Sequence, residues 1–258
     1  MKKSRIAIVA FGILFFVLAA AVAAETAPAA KPEGSRKSAR TKALGAGAKI
    51  LQQKAPLEAV SVYLDGFHFH SGDMSQQIEA HHYCSQLNDD FIQCIIYSGN
   101  GKDALLMGVE YVISRKLFEG LPEDEKKLWH SHVYETRSGQ LIAPGLPRAA
   151  EHALMEKLIS TYGKTWHTWN MHDFDRGLPL GIPELMMGFT AEGQANPALV
   201  QARDKRLGID TKALKRDRED IPARGILPGA DAWEGGIIPQ LRLEIKQSEV
   251  LKPGDRVK

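Results

Sequence analysis

Six of the nine histidines stand in three tight pairs: His68-Phe69-His70, His81-His82 and His130-Ser131-His132. Imidazole is a ligand for Zn²⁺ and for other divalent transition metals. On a strand, residues two apart share a face, so each His-x-His pair can aim two rings at one point. Read as a strand, Trp129 to Glu135 puts His130, His132 and Tyr134 on one face, and Glu135 needs a bulge to join them. The candidate ligands for zinc or another divalent transition metal are therefore His130, His132, His81, His82, His70 and Glu135. In Phe67-His68-Phe69-His70 the alternation turns the two Phe inward and the two His towards solvent. The competing reading of all these histidines is a structural one, in which they hydrogen-bond buried backbone or carboxylates.

Cys84 and Cys94 are the chain's two cysteines. Ten residues apart, they suit a disulfide in an oxidising compartment. The alternatives are buried thiols, or a Cys84 that joins His81 as a ligand from one face of a helix. Other chemistry is thin. There is no Gly-x-Ser-x-Gly elbow and no phosphate-cradling glycine loop. His172, Asp173 and Asp175, near Trp166 and Trp169, form a weak acid–base candidate. Leu178 to Phe189 is apolar and broken by Pro and Gly. Its Leu185, Met186, Met187 and Phe189 either form an apolar surface for a lipid or plug the core.

These residues need a scaffold, and the ends of the chain are not part of it. Met1 to Arg5 is basic, Ile6 to Val22 is apolar, and Ala21-Val22-Ala23 fits a cleavage site. Residues 1–24 are thus expected to be a signal peptide, with an N-terminal membrane anchor as the alternative. The destination would be the periplasm or the exterior. Residues 25–54 form a basic linker, disordered or loosely helical, that is either a solvated spacer or attracted to an anionic lipid surface. Residues 55–258 hold 23 basic and 29 acidic side chains, a net charge of −6 that argues against nucleic acid as a partner.

This body, about 200 residues long, suits one domain. Strands are expected at Val60–Leu64, Phe67–His70, Trp166–Met171 and Gln240–Ile245. Hairpins are expected at Phe91–Tyr97 with Leu105–Ile113, and at His132–Thr136 with Gln140–Ala143. Helices are expected over Gln76–Leu87 (capped by Asp73 or Ser75), Leu121–Trp129, Ala149–Tyr162 and Lys205–Asp220. The fold class that follows is α+β, a single domain with a mainly antiparallel sheet of hairpins and packed helices.

Several stretches together resemble one family. They are Glu79-Ala80-His81-His82-Tyr83-Cys84, Gly108-Val109-Glu110-Tyr111-Val112 and Leu128-Trp129-His130-Ser131-His132-Val133-Tyr134-Glu135. Thr161-Tyr162-Gly163-Lys164, Leu178-Pro179-Leu180-Gly181 with Leu185-Met186-Met187, Gly208-Ile209-Asp210 and Gly229-Ala230-Asp231-Ala232-Trp233 follow. The joint pattern runs from about Val60 to Ile245 and is similar to the oil body-associated proteins, known from plant seeds with relatives in fungi and bacteria. The resemblance implies a non-enzymatic role at a lipid or other apolar surface, with no defining ligand and no established activity. The plant members are intracellular, whereas this chain reads as an exported, bacterial-type member.

Overall fold

The computed structural model describes residues 34–169 and 178–247. The expected signal segment, the start of the basic tail and the group His172, Asp173 and Asp175 lie outside the described residues. Seven strands carry the described fold: β1 Val62–His70, β2 Asp73–Asn88, β3 Phe91–Tyr97, β4 Leu106–Ser114, β5 His130–Ser131, β6 Thr161–His167 and β7 Glu184–Met187. All pairings between them are antiparallel.

The expected sheet of hairpins is in fact closed. Its order runs β4-β3-β2-β1-β7-β6, and β6 pairs back onto β4 to complete a six-stranded barrel. The two-residue β5 shares with β7 the remaining edge of β6. Closure removes the exposed edges that an open sheet would leave.

Register fixes which side chains enter the barrel. Cys84 faces Cys94, Cys94 faces Glu110, Glu110 faces Thr165, Thr165 faces Met186, and Met186 faces His70. This circuit returns to β1 on one face, and the period-2 rule then adds His68, His82, Gly108 and His167 to that face. The opposite face of β1 carries Asp65, Phe67 and Phe69, which lie beneath the helices. Both faces of β1 are therefore buried, and His68 and His70 point into the barrel rather than to solvent.

The helices are α1 Ala39–Leu51, α2 Ala55–Glu58, α3 Arg115–Glu119, α4 Glu123–Lys126, α5 Val133–Arg137, α6 Arg148–Leu158, α7 Pro197–Leu207 and α8 Thr211–Asp217. α1 is helical but buries nothing. α7 covers the outer face of β1, where Leu199 and Val200 pack on Phe67, Phe69, Leu185, Met187 and Phe189. No described helix is long and apolar enough to cross a membrane.

Several local expectations change. Gln76–Leu87 is not a helix but most of the 16-residue β2. Its Gln, Glu, Ala and Leu favour a helix weakly, and pairing on both edges overrides that preference. Asp73 caps no helix but is the first residue of β2, where its side chain accepts from Ser75 N at 3.0 Å. The 132–136 segment is α5 and not a hairpin strand. α6 ends at Leu158, and β6 starts at Thr161, earlier than expected. The single helix expected over Lys205–Asp220 is two helices. Gly208 at φ 65 ends α7, and the Asp210 side chain caps α8. Gln240–Ile245 forms no strand. The hairpin of β3 with β4 stands as expected.

The proposed apolar surface is the largest correction. Leu185, Met186, Met187 and Phe189 are all buried, because β7 is a barrel strand with one face inside and the other beneath α7.

Candidate metal centre

Glu110 is a carboxylate in the middle of an apolar strand, Leu106-Met107-Gly108-Val109-Glu110-Tyr111-Val112-Ile113, and it points into the barrel. Four histidines surround it. His82 Nε2 stands 3.0 Å from Glu110 Oε2. His130 Nε2 and His132 Nε2 stand 3.5 and 3.4 Å from Glu110 Oε1. The rings of His68 and His82 meet edge-on at 5.0 Å between centres, and those of His68 and His130 at 5.6 Å.

β2 delivers His82, and β1 delivers His68. β5 delivers His130 opposite Gly163. His132 arrives differently from the expected strand alternation. The chain leaves β5 at Ser131, whose N–H and hydroxyl both donate to the Asp231 carboxylate, at 3.0 and 2.6 Å. His132 then caps α5, its Nδ1 2.8 Å from Thr161 Oγ1. One turn into α5, Glu135 returns to the cluster. His68, Glu110 and His130 can each offer a ligand atom within 4.8 Å of the others, and so can His130, His132 and Glu135.

Two glycines, Gly163 and Gly188, make the space. A Cβ on Gly163 would collide with Glu110 Oε1 and lie 2.7 Å from His130 Nε2. On Gly188 it would meet His130 Cδ2 at 2.9 Å and Glu135 Oε1 at 3.0 Å. On Gly108 it would collide first with the Trp166 carbonyl, where β4 packs on β6. A void of about 20 Å³ remains, lined by His68, His82, Glu110, His132 and Glu135 and also by Leu64, Gly66, Val112, Leu141 and Leu158. That is room for about one water-sized body.

The electrostatics suit a cation. Burial, with His132 beside it, pushes His130 down to about 3. Burial and His82 push His68 well below the usual histidine range. Both rings are neutral near pH 7, the form that binds metal. Burial works against ionisation of Glu110, but interactions with His82 and His132 outweigh it and hold the carboxyl well below its usual range. Burial and the neighbouring Glu110 push Glu135 well above its usual range, so it keeps its proton. Neither nitrogen of His130, neither of His82, nor His68 Nδ1 has a partner in hydrogen-bond geometry. Buried polar atoms of that kind are rare and ask for an explanation.

The structure thus brings His130, His132, His82 and Glu135 together. His70 lies further along the barrel, in contact with Glu184, and its ring centre is 6.4 Å from that of His167. His81 is on the other side of the wall. There its Nδ1 is 2.8 Å from Tyr63 Oη and 3.0 Å from Asp65 Oδ2. Cys84 and Cys94 are cross-strand neighbours joined by a disulfide, so Cys84 is no ligand. The set omitted His68, Glu110 and His167. A lone acid in an apolar strand was the available signal for Glu110, since an unpaired buried carboxylate is rarely structural. A larger hollow of about 520 Å³ beside Tyr134, Val200, Asp204 and Lys215 contains none of these residues.

Comparison with known proteins adds the relatives. The family described as "Protein of unknown function (DUF1264)" matches residues 54–222. Oil body-associated protein 1B of Arabidopsis thaliana is 38% identical over 219 residues, covering 84% of this chain and 88% of the relative. Oil body-associated protein 2C of Arabidopsis thaliana is 41% identical over 206 residues, with 79% and 86% covered. Oil body-associated protein 1A of Zea mays is 42% identical over 196 residues, with 74% and 81% covered. No solved structure matches the chain.

Proposed function

The chain belongs to the DUF1264 family, that of the oil body-associated proteins, and from that premise we propose that its barrel binds one divalent transition-metal ion around Glu110. The observation that carries this reading is the Glu110 cluster itself. An ionised carboxylate, neutral imidazoles at His68 and His130, and a void for one small body meet in a site that Gly163 and Gly188 keep open. His68, Glu110 and His130 form the inner ligand set, with His82, His132 and Glu135 beside it. A mixed nitrogen and oxygen donor set suits Zn²⁺, Mn²⁺ or Fe²⁺. Export to an oxidising compartment belongs to the proposal, and the Cys84–Cys94 disulfide supports it.

The test is the metal content of the exported, untagged protein, purified without chelator, next to His130→Ala/His132→Ala and Glu110→Gln variants. About one ion per chain, lost in both variants, is the expected result. No metal in the native chain after incubation with Zn²⁺, Mn²⁺ and Fe²⁺ would defeat the reading.

A second reading is association with a lipid surface, as the relatives' names suggest. With Leu185 to Phe189 buried, it rests on Leu241, Leu243 and Ile245, which are 50, 71 and 88% exposed at alternate positions of an extended segment. Flotation with anionic vesicles, lost in a Leu241→Ser/Leu243→Ser/Ile245→Ser variant, would support it. Failure of the native chain to float would remove it.

A further inference from the structure

We infer that Glu184, His70, His167 and His68 form the route by which a metal ion reaches the buried Glu110 centre. This rests on the metal-binding reading above. An ion cannot cross an apolar barrel with its hydration shell removed and nothing in its place. It needs ligands along the way, each handing it to the next.

The inner face of the barrel supplies such a row. Glu184 is at the outer end, its side chain 37% exposed and in contact with His70 Nδ1. It pairs in register with His167 across β6 and β7. From His70 the ring centres run 6.4 Å to His167, then 5.9 Å to His68. From His68 they run 5.6 Å to His130 in the centre. An ion held about 2.0–2.1 Å from each of two imidazole nitrogens sets their ring centres about 5–6 Å apart. Each step in the row is close to that spacing, so a small ring rotation lets two neighbours share one ion. His70, His167 and His68 are all buried, and only Glu184 reaches solvent appreciably. Gly108, paired with His167, lets that ring lie against β4, since a Cβ there would stand 2.9 Å from His167 Cδ2.

Uptake of Co²⁺ by the full-length, disulfide-intact chain, stripped of metal, tests the route. Cobalt absorption reports both the final ligand set and the rate of arrival. The variants are Glu184→Gln, at the half-exposed end, and His70→Gln/His167→Gln. The expected result is the native stoichiometry and final spectrum in both, with uptake slowed about tenfold or more, the effect of about 1.4 kcal/mol on a barrier. Native uptake rates in both variants would overturn the route while leaving the centre intact. A changed spectrum or stoichiometry would make these residues resting ligands, which also overturns it. A native chain that takes up no cobalt would overturn the route together with the metal-binding reading. Far-ultraviolet circular dichroism identifies a variant that fails to fold, in which case Glu184→Gln alone decides.

Discussion

His81 and His82 are neighbours in the chain and belong to two different clusters, one on each side of the barrel wall. Outside, His81 joins Asp65, Tyr63 and Glu79, and two guanidinium groups complete the set. Arg203 Nη1 is 3.2 Å from Asp65 Oδ1, with its guanidinium 4.8 Å above the Phe67 ring, and Arg206 contacts Glu79. Inside, His82 joins Glu110, His68, His130, His132 and Glu135. Among the described residues no Lys or Arg forms an ion pair with Glu110 or Glu135. Both clusters hold acids and histidines at ligand spacing. The outer one has its cation built into α7. The inner one has no Lys or Arg in ion-pair range among the described residues, whereas ring nitrogens without a hydrogen-bond partner occur in both, His81 Nε2 outside and His130 inside. Ligand spacing alone therefore does not mark a metal site. What distinguishes the two is whether the protein already supplies the positive charge.

The largest effect should come from removing that built-in charge. Arg203→Met leaves Asp65 buried without its guanidinium, and the expected loss is about 3–5 kcal/mol in urea unfolding. Glu110→Gln is the matched change inside. It removes a buried carboxylate whose near partners are His82 and His132 rather than a guanidinium, so the metal-free protein should lose less, about 1–3 kcal/mol. Equal losses from the two substitutions would erase the distinction. Metal reverses the comparison. Saturating Zn²⁺ at a hundred times its Kd should stabilise the native chain by about 2.7 kcal/mol. It should stabilise Arg203→Met equally if that variant folds, and Glu110→Gln not at all. Thermal melts with and without Zn²⁺ measure this.

How much of this was legible follows from the range of each signal. The hairpin of β3 and β4 could be read because its alternation and its Ser98-Gly99-Asn100-Gly101 turn are local. The convergence of His130 and His132 was legible as spacing, although α5 and Asp231, not strand alternation, bring it about. Barrel closure was not legible. It depends on β4 pairing with β6 across some fifty residues, and no local pattern announces such a pairing. That unseen pairing hid the centre. With the Phe67–His70 alternation read as one face inward and one towards solvent, His68 looked exposed. Once the barrel closes, both faces of β1 are covered and every even-numbered residue from Leu64 to His70 looks inward. Arg203 and Arg218 misled for a related reason. Arg218 falls in the helix expected over Lys205–Asp220 and Arg203 just before it, and neither position carries a local sign of burial, yet both side chains are fully buried. Arg203 reaches Asp65, and Arg218 reaches Glu151 and the carbonyls of Thr136 and Leu141.

A smaller effect should come from the glycines. Gly163→Ala places a Cβ against Glu110 and His130, an overpacking cost of about 1–3 kcal/mol. It should weaken Zn²⁺ binding as well, because the ligands must move apart. Gly45→Ala in the exposed α1 meets nothing within 4 Å and should leave the metal site untouched. Metal titrations of the two alanine variants check this. Equal Zn²⁺ affinity would mean that the cluster tolerates displacement and is not a fitted ligand set.

The last prediction concerns sign rather than size, and it sets one buried aspartate against another. Burial opposes ionisation of Asp65, but the hydrogen bond from His81 and the charge of Arg203 prevail and hold it below its usual range. Its contribution to stability is therefore present above the unfolded-state value and lost as pH falls through the lower folded value. Asp231 holds β5 in place through Ser131 and has no ion-pair partner among the described residues. Burial pushes it up from 3.8 to about 6 despite the Ser131 hydrogen bonds. Between those two values the folded state binds more protons than the unfolded one. Its contribution therefore falls as pH rises from about 4 to about 6 and is level above that. Stability measured across this window should rise more steeply with pH in Asp231→Asn than in the native chain. An Asp65→Asn variant should shift the slope the opposite way, at lower pH. If the two substitutions changed the slope in the same direction, Asp65 and Asp231 would not differ in how the fold holds their charge, with a guanidinium at the one and the Ser131 N–H and hydroxyl at the other.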